Sequence, residues 1–127
     1  MSKRILVVED DELAQFVIVE MCHELGFECR TANNGQQALD TLAEHPNSID
    51  MVLMDIHMPV VSGLTATTTL RGFPNDPPKQ TPVIAVTADV VWHDVDRCQQ
   101  HGFNAVLQKP VNIDLLSETL HRYAQAS

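Results

Sequence analysis

Ile5-Leu6-Val7-Val8-Glu9-Asp10-Asp11 is an apolar run that stops abruptly in three carboxylates. A strand apolar on both faces belongs in a sheet covered on both sides, the habit of parallel sheets. The form returns three times. Ile49-Asp50-Met51-Val52-Leu53-Met54 ends at Asp55, Pro82-Val83-Ile84-Ala85-Val86 at Thr87, and Ala105-Val106-Leu107-Gln108 at Lys109. Helix-period segments separate the runs, and that alternation predicts βαβ units. The carboxyl ends of parallel strands share one edge, where open α/β sheets bind ligands. Crowded carboxylates there call for a cation, and an ammonium suits a phosphate.

Working outward, strands are expected over about 4–9, 27–32, 49–54, 83–87 and 104–108. The second is more polar and suits a place near an edge. Asp11 caps a first helix whose apolar positions are Ala14, Val17, Ile18, Met21 and Leu25, closed by Gly26. Asn33-Asn34-Gly35 signals a turn before a short helix with Ala38, Leu39, Leu42 and Ala43 inward, stopped by Pro46. Ser62 or Gly63 opens a third helix to about Arg71, weakened by Thr67-Thr68-Thr69. Residues 72–82 form a proline-rich loop. A fourth helix is expected over roughly Val91 to His101. Asn112 caps a fifth, which carries Leu116, Leu120 and Tyr123. Five strands and five helices make a three-layer α/β sandwich, one domain over 1–127.

Composition narrows the function. Lys plus Arg number 8 against 17 Asp plus Glu, a formal net charge of −9. Direct nucleic-acid binding, which needs a positive face, is excluded. Cys22, Cys29 and Cys98 are odd in number and unpaired in spacing, which suits reduced thiols and a cytoplasmic setting. No apolar run approaches the roughly 20 residues of a membrane span.

Asp55 is the expected nucleophile toward a phosphoryl group, because a carboxylate ending a buried strand sits at a fixed point. Glu9 and Asp10 end the neighbouring strand, about 4.8 Å away. Three carboxylates that close need a hard cation such as Mg2+. Asp10 and Asp55 are expected as direct ligands, Glu9 through water, and the His57 carbonyl completes the shell. Lys109, set by Pro110, is expected to neutralise phosphoryl oxygens, and the Thr87 hydroxyl to donate to them. Each signal is weak singly, since a capping Asp or a surface Lys is commoner; their joint placement carries the weight.

Val7-Val8-Glu9-Asp10-Asp11, Met54-Asp55-Ile56-His57-Met58-Pro59 with Gly63, Val86-Thr87-Ala88 and Lys109-Pro110 together resemble the receiver domain of two-component response regulators. Met58 to Thr67 is similar to receivers attached to hybrid sensor kinases. The resemblance spans the chain and implies a flavodoxin-like fold with strand order 2-1-3-4-5. It implies that Asp55 accepts phosphoryl from a phosphohistidine on a histidine kinase or phosphotransfer protein, with Mg2+ required. It also implies a signalling switch, not a metabolic enzyme, with helix four, strand five and helix five as the output face. Trp92 fits that face as a partner contact and fits the core equally well.

Two departures stand out. Val106 replaces the aromatic usual three residues before the lysine, and Ser62 replaces an acidic residue. The resemblance also implies that His57 and Asp89, two beyond Asp55 and Thr87, border the path of the hydrolytic water. Rival classes fit less well. An aspartate-nucleophile phosphatase wants an Asp where His57 stands, and the five glycines form no phosphate-cradling loop for a flavin or dinucleotide. A receiver-like module that never accepts phosphate is the third alternative.

Overall fold

Five short parallel strands form one sheet in the order β2-β1-β3-β4-β5. They are β1 (Arg4–Val8), β2 (Glu28–Ala32), β3 (Met51–Asp55), β4 (Val83–Thr87) and β5 (Ala105–Gln108). The computed structural model describes residues 3–125; residues 1, 2, 126 and 127 of the expected domain lie outside them. The fold is the expected three-layer, flavodoxin-like sandwich. Register aligns Val8 with Met54, Asp55 with Val86, and Thr87 with Gln108. The residues at or just past these strand ends, Glu9, Asp55, Thr87 and Lys109, therefore share one edge.

Side chains alternate across a strand, so each run feeds two cores. Leu6, Val8, Val52, Met54, Val83 and Ala85 face one side. They pack on α2 (Gly35–Glu44), α3 (Gly63–Arg71) and α4 (Val95–Gln100) through Leu42, Ala66, Leu70 and Cys98. Ile5, Val7, Met51, Leu53, Ile84 and Val86 face the other. There they meet α1 (Glu12–Glu24) and α5 (Ile113–Gln125) through Ile18, Cys22, Leu116 and Leu120. As its polarity suggested, β2 is an edge strand, with Glu28, Arg30 and Thr31 exposed.

Helix starts follow their caps. Asp11 Oδ1 accepts from Leu13 N–H at 2.9 Å, Asn34 Oδ1 from Gln37 N–H at 2.9 Å, and Ser62 Oγ from Thr65 N–H at 3.1 Å. Each satisfies a backbone donor that the first helical turn leaves open. Past the end of α1, Gly26 holds φ +91°, a conformation that suits glycine. In α3, Thr68 Oγ1 donates back to the Leu64 carbonyl, the local competition expected of a threonine inside a helix.

Three expectations need correction, the smallest being Ala43 of α2, which is exposed and not inward. The fourth helix is not continuous from Val91 to His101. A 3₁₀ turn, Val90–Trp92, is capped by Asp89, and α4 starts anew at Val95, capped by Asp94. Two aspartates five residues apart each begin a helical turn, and His93 sits at the joint. The third correction concerns α1, whose buried residues are Ile18 and Cys22, while Val17 is exposed. Ile18, Met21 and Leu25 pack inward as expected, Cys22 joins them, and Val17 does not. Val17 joins Leu13 and Phe16 on the outer surface.

Residues 72–82 are tied down by Arg71. Its guanidinium donates to the carbonyls of Lys79 and Thr81 at 2.8 Å each, to the Gly102 carbonyl at 2.9 Å and to Asn104 Oδ1 at 2.9 Å. One side chain thereby fixes the approaches to both β4 and β5. No helix among the described residues is long and apolar enough to cross a membrane.

Candidate functional site

Asp55 closes β3 with only 6% of its surface exposed. Its position is set from behind by Gly63, whose N–H donates to the Ile56 carbonyl at 2.9 Å. A Cβ on Gly63 would collide with the Asp55 carbonyl oxygen and with Met54 Cγ, so only glycine lets α3 start so close to the strand end. The His57 N–H donates to Asp55 Oδ1 at 3.3 Å.

Glu9 follows β1 at 3% exposure, and its N–H donates to the Ala32 carbonyl at 3.1 Å. Asp10 beside it is exposed. One carboxylate oxygen from each of Glu9, Asp10 and Asp55 lies within 4.8 Å of the other two. From β5, Lys109 N–H donates to the Thr87 carbonyl at 2.9 Å. Its Nζ stands 2.9 Å from Glu9 Oε2 and 3.5 Å from Asp55 Oδ2. Thr87 is buried, and its Oγ1 accepts from Asp89 N–H at 3.0 Å. That bond uses a lone pair and leaves the hydroxyl proton available to donate.

Electrostatics tests whether a cation fits. Burial, then the adjacent Glu9, push the Asp55 carboxyl from its ordinary 3.8 up to about 7. Lys109 and the His57 N–H oppose this and lose. Burial works to lower the Lys109 pKa, but Glu9 and Asp55 outweigh it and raise it. One ammonium thus leaves the carboxylate cluster under-compensated. Three oxygen donors within reach of one another are the hard ligands Mg2+ takes, usually as one or two carboxylates plus waters. The residues fit the ion.

The side chains of Glu9, Asp10, Asp55 and Lys109 converge, and Thr87 ends the strand beside Asp55. His57 turns its side chain away from the carboxylates, to Asp89, with Nε2 2.9 Å from Oδ2. That bridge joins the loops after β3 and β4. Hydrogen bonding to the Val91 N–H, then to His57, lowers the Asp89 pKa. Sequence reasoning missed two further residues. Gln15 Nε2 lies 3.1 Å from the Glu9 carbonyl and 3.2 Å from that of Ala32, donating toward both and clamping the carboxylate loop onto α1. His93 Nε2 lies 3.0 Å from the Thr87 carbonyl. Neither contact has a local sequence signal, since each is made across a turn or between elements.

Two surfaces flank the site. A groove of about 520 Å³ runs between α1 and the segment after β5, lined by Leu13, Ala14, Val17, Met21, Pro110 and Val111. Leu13 and, next to the groove, Phe16 are 72% and 61% exposed. On the other side, Val90, Val91, Val95 and Leu115 are exposed, while Trp92 is half-buried against the core. The tryptophan ring packs edge-on to His101 and under the Arg97 guanidinium. Of its two readings, the structural one describes its packing.

Comparison with known proteins converges on one family. The family model described as response regulator receiver domain matches residues 5–121. Among curated relatives, the polar-differentiation response regulator DivK of Brucella anthropi is 37% identical over 123 residues, covering 97% of both chains. Sensor histidine kinase RcsC of Salmonella typhimurium is 36% identical over 121 residues, covering 95% of this chain. The match spans only 12% of that kinase. Among solved structures, the receiver domain of a Pseudomonas aeruginosa sensor histidine kinase, with magnesium coordinated in its active-site cleft, is 33% identical with TM-score 0.82. It covers 97% of this chain and 98% of its own. The Saccharomyces cerevisiae Ssk1 receiver, solved with the histidine phosphotransfer protein Ypd1, is 26% identical with TM-score 0.82. Coverage is 96% of this chain and 88% of that one.

Proposed function

The chain belongs to the response regulator receiver family, and from that premise we propose that Asp55 is its phosphoryl acceptor in a two-component phosphorelay. The donor is a phosphohistidine on a histidine kinase or phosphotransfer protein, and residues 1–127 act as one switching domain. The observation that carries this reading is the meeting of Glu9, Asp10, Asp55 and Lys109 at one sheet edge.

An Asp55 carboxylate oxygen attacks phosphorus, the P–N bond to the donor imidazole breaks, and the imidazole leaves with the electron pair. Such transfer asks for alignment and charge neutralisation more than for proton chemistry. Asp10 and Asp55 directly, Glu9 through water and the His57 carbonyl would hold Mg2+, which when bound would offset charge on the transferring oxygens. Its presence also favours the ionised Asp55 that attack requires. Lys109 is poised to move from Glu9 to a phosphoryl oxygen, and Thr87 to donate its hydroxyl proton to another. The product is an acyl phosphate carrying about −1.5 to −2 charge.

Switching follows from differential contact. Moving a two-state equilibrium from mostly off to mostly on takes roughly 5.5 kcal/mol of preference. Charge-assisted hydrogen bonds from Thr87 and Lys109, at about 1.5–3 kcal/mol each, supply most of that, reaching it at the upper end of the range. The apolar groove along α1 opens beside Lys109 and offers a surface for a phosphotransfer partner, a class of protein with which the similar Ssk1 receiver was co-crystallised. Output passes through α4, β5 and α5, where Val90, Val91, Val95 and Leu115 are exposed. Free thiols at Cys22, Cys29 and Cys98 accord with a cytoplasmic location.

The test is intact mass after incubation with acetyl phosphate and Mg2+, comparing the parent with Asp55→Asn. A labile gain of one phosphoryl in the parent alone is expected. Equal labelling of both proteins removes Asp55 from its role.

A further inference from the structure

Thr87's carbonyl accepts two hydrogen bonds, from Lys109 N–H at 2.9 Å and from His93 Nε2 at 3.0 Å. A carbonyl can only accept, so the ring carries a proton on Nε2. His93 is also the joint between two capped turns. Its own N–H closes the 3₁₀ turn on the Val90 carbonyl at 3.2 Å, and the next residue, Asp94, opens α4. One half-buried side chain therefore ties the start of α4 back to the strand end that carries Thr87 and faces Lys109.

The ring has somewhere to go. A cavity of about 320 Å³ is lined by His93, Val95, Val106, Leu107, Leu115 and Thr119 among others. Val106, a branched aliphatic, leaves this space open where a larger side chain would fill it. We propose that His93 is the positioning residue through which movement of Thr87 reaches α4. When the Thr87 hydroxyl is drawn toward phosphorylated Asp55, the peptide group of Thr87 turns with it. The His93 bond breaks, the ring swings into the cavity beside Val106, and the restraint on the α4 joint is released. This inference rests on the phosphoryl-acceptor reading above and adds the route by which it is read out.

Trp92, the only tryptophan, adjoins His93 and supplies the signal. Its carbonyl accepts from the Cys98 Sγ–H in α4 at 3.1 Å, and its ring lies 4.8 Å from the Arg97 guanidinium carbon, so its surroundings change with that helix. The parent, His93→Ala, His93→Phe and His93→Gln are each treated with acetyl phosphate and Mg2+. Asp55 labelling is followed by intact mass, and Trp92 emission is recorded before and after. All four are expected to take up phosphoryl. Emission should change on labelling in the parent and in His93→Gln, whose amide N–H can replace the donor. In His93→Ala and His93→Phe it should start at the released value and not move. A parent-like response in either of those two overturns the proposal, because filled space or a neighbouring contact would then suffice. If Ala fails to fold, the Phe and Gln pair decides alone. Uptake by the parent with no change in emission overturns this inference only; no uptake on Asp55 overturns the underlying reading as well.

Discussion

Lys109 Nζ lies 2.9 Å from Glu9 Oε2, a contact between residues 100 apart in sequence. The ammonium is thus engaged most closely by Glu9 and, at 3.5 Å, also by Asp55, the proposed acceptor. Lys109→Ala should act in opposite senses on two measurements. Mg2+ should bind more tightly by calorimetry, because the ammonium that repels it is gone. Phosphoryl uptake from acetyl phosphate should fall by about tenfold or more, the loss of roughly one charged hydrogen bond to the moving oxygens.

Stability of the metal-free protein should fall as pH rises through the window set by Asp55. Between its ordinary 3.8 and about 7 the unfolded chain has released this proton while the folded chain keeps it. The folded state thus loses ground across that interval and levels off above it. A tenfold difference in proton affinity between the two states is worth roughly 1.4 kcal/mol, so the effect amounts to a few kcal/mol at most. Melting temperatures in chelator and in Mg2+, at about pH 5 and about pH 8, check this. Mg2+ should stabilise more at the higher pH, and Asp55→Asn should lack the Asp55 part of the slope. An identical slope in that variant would assign it to other groups.

Gly63→Ala should damage fold and site together. The added methyl meets the Asp55 carbonyl oxygen and Met54 Cγ, and the backbone side of that clash cannot simply rotate away. Overpacking of this kind costs about 1–3 kcal/mol. Thermal unfolding should show the loss, and acetyl phosphate labelling should slow because β3 must shift to relieve it. Unchanged labelling with lowered stability would separate the two effects.

Phe16→Asp should discriminate between donors. Phe16 is exposed on α1, the helix that supplies Leu13 and Val17 to the apolar groove. Transfer from a phosphotransfer protein should drop, while labelling by acetyl phosphate should match the parent. Equal loss with both donors would mean that α1 itself had been perturbed.

Asp89→Ala should shorten phosphoryl lifetime by a few-fold. The His57–Asp89 contact ties the two loops beside Asp55, and its loss should let water approach more freely. The decay of labelled protein followed by mass is the measurement. A lifetime equal to or longer than the parent's would show that the bridge does not restrain water.

The residues that sequence reasoning placed correctly share one property: they end buried strands. Asp55 and Thr87 close continuous apolar runs, and Glu9 and Lys109 stand one residue beyond them, so strand pairing alone brings all four together. The order of those strands came from resemblance, since periodicity cannot say which run lies beside which. Misreadings arose where one run of residues carried two local signals. Asp94 could have been recognised as a cap, which would have split the fourth helix at His93. Cys22 was weighed as a thiol when its place in α1 made it a small apolar core residue. The His57–Asp89 bridge left no trace, because it joins an exposed and a half-buried side chain 32 residues apart.

Glu9 and Lys109 come from opposite flanks of the sheet, with β3 and β4 between them, so no contiguous stretch of the chain contains the reactive constellation. A copy lacking β5 would still carry Glu9, Asp10 and Asp55, but not the Lys109 ammonium that lies against two of them.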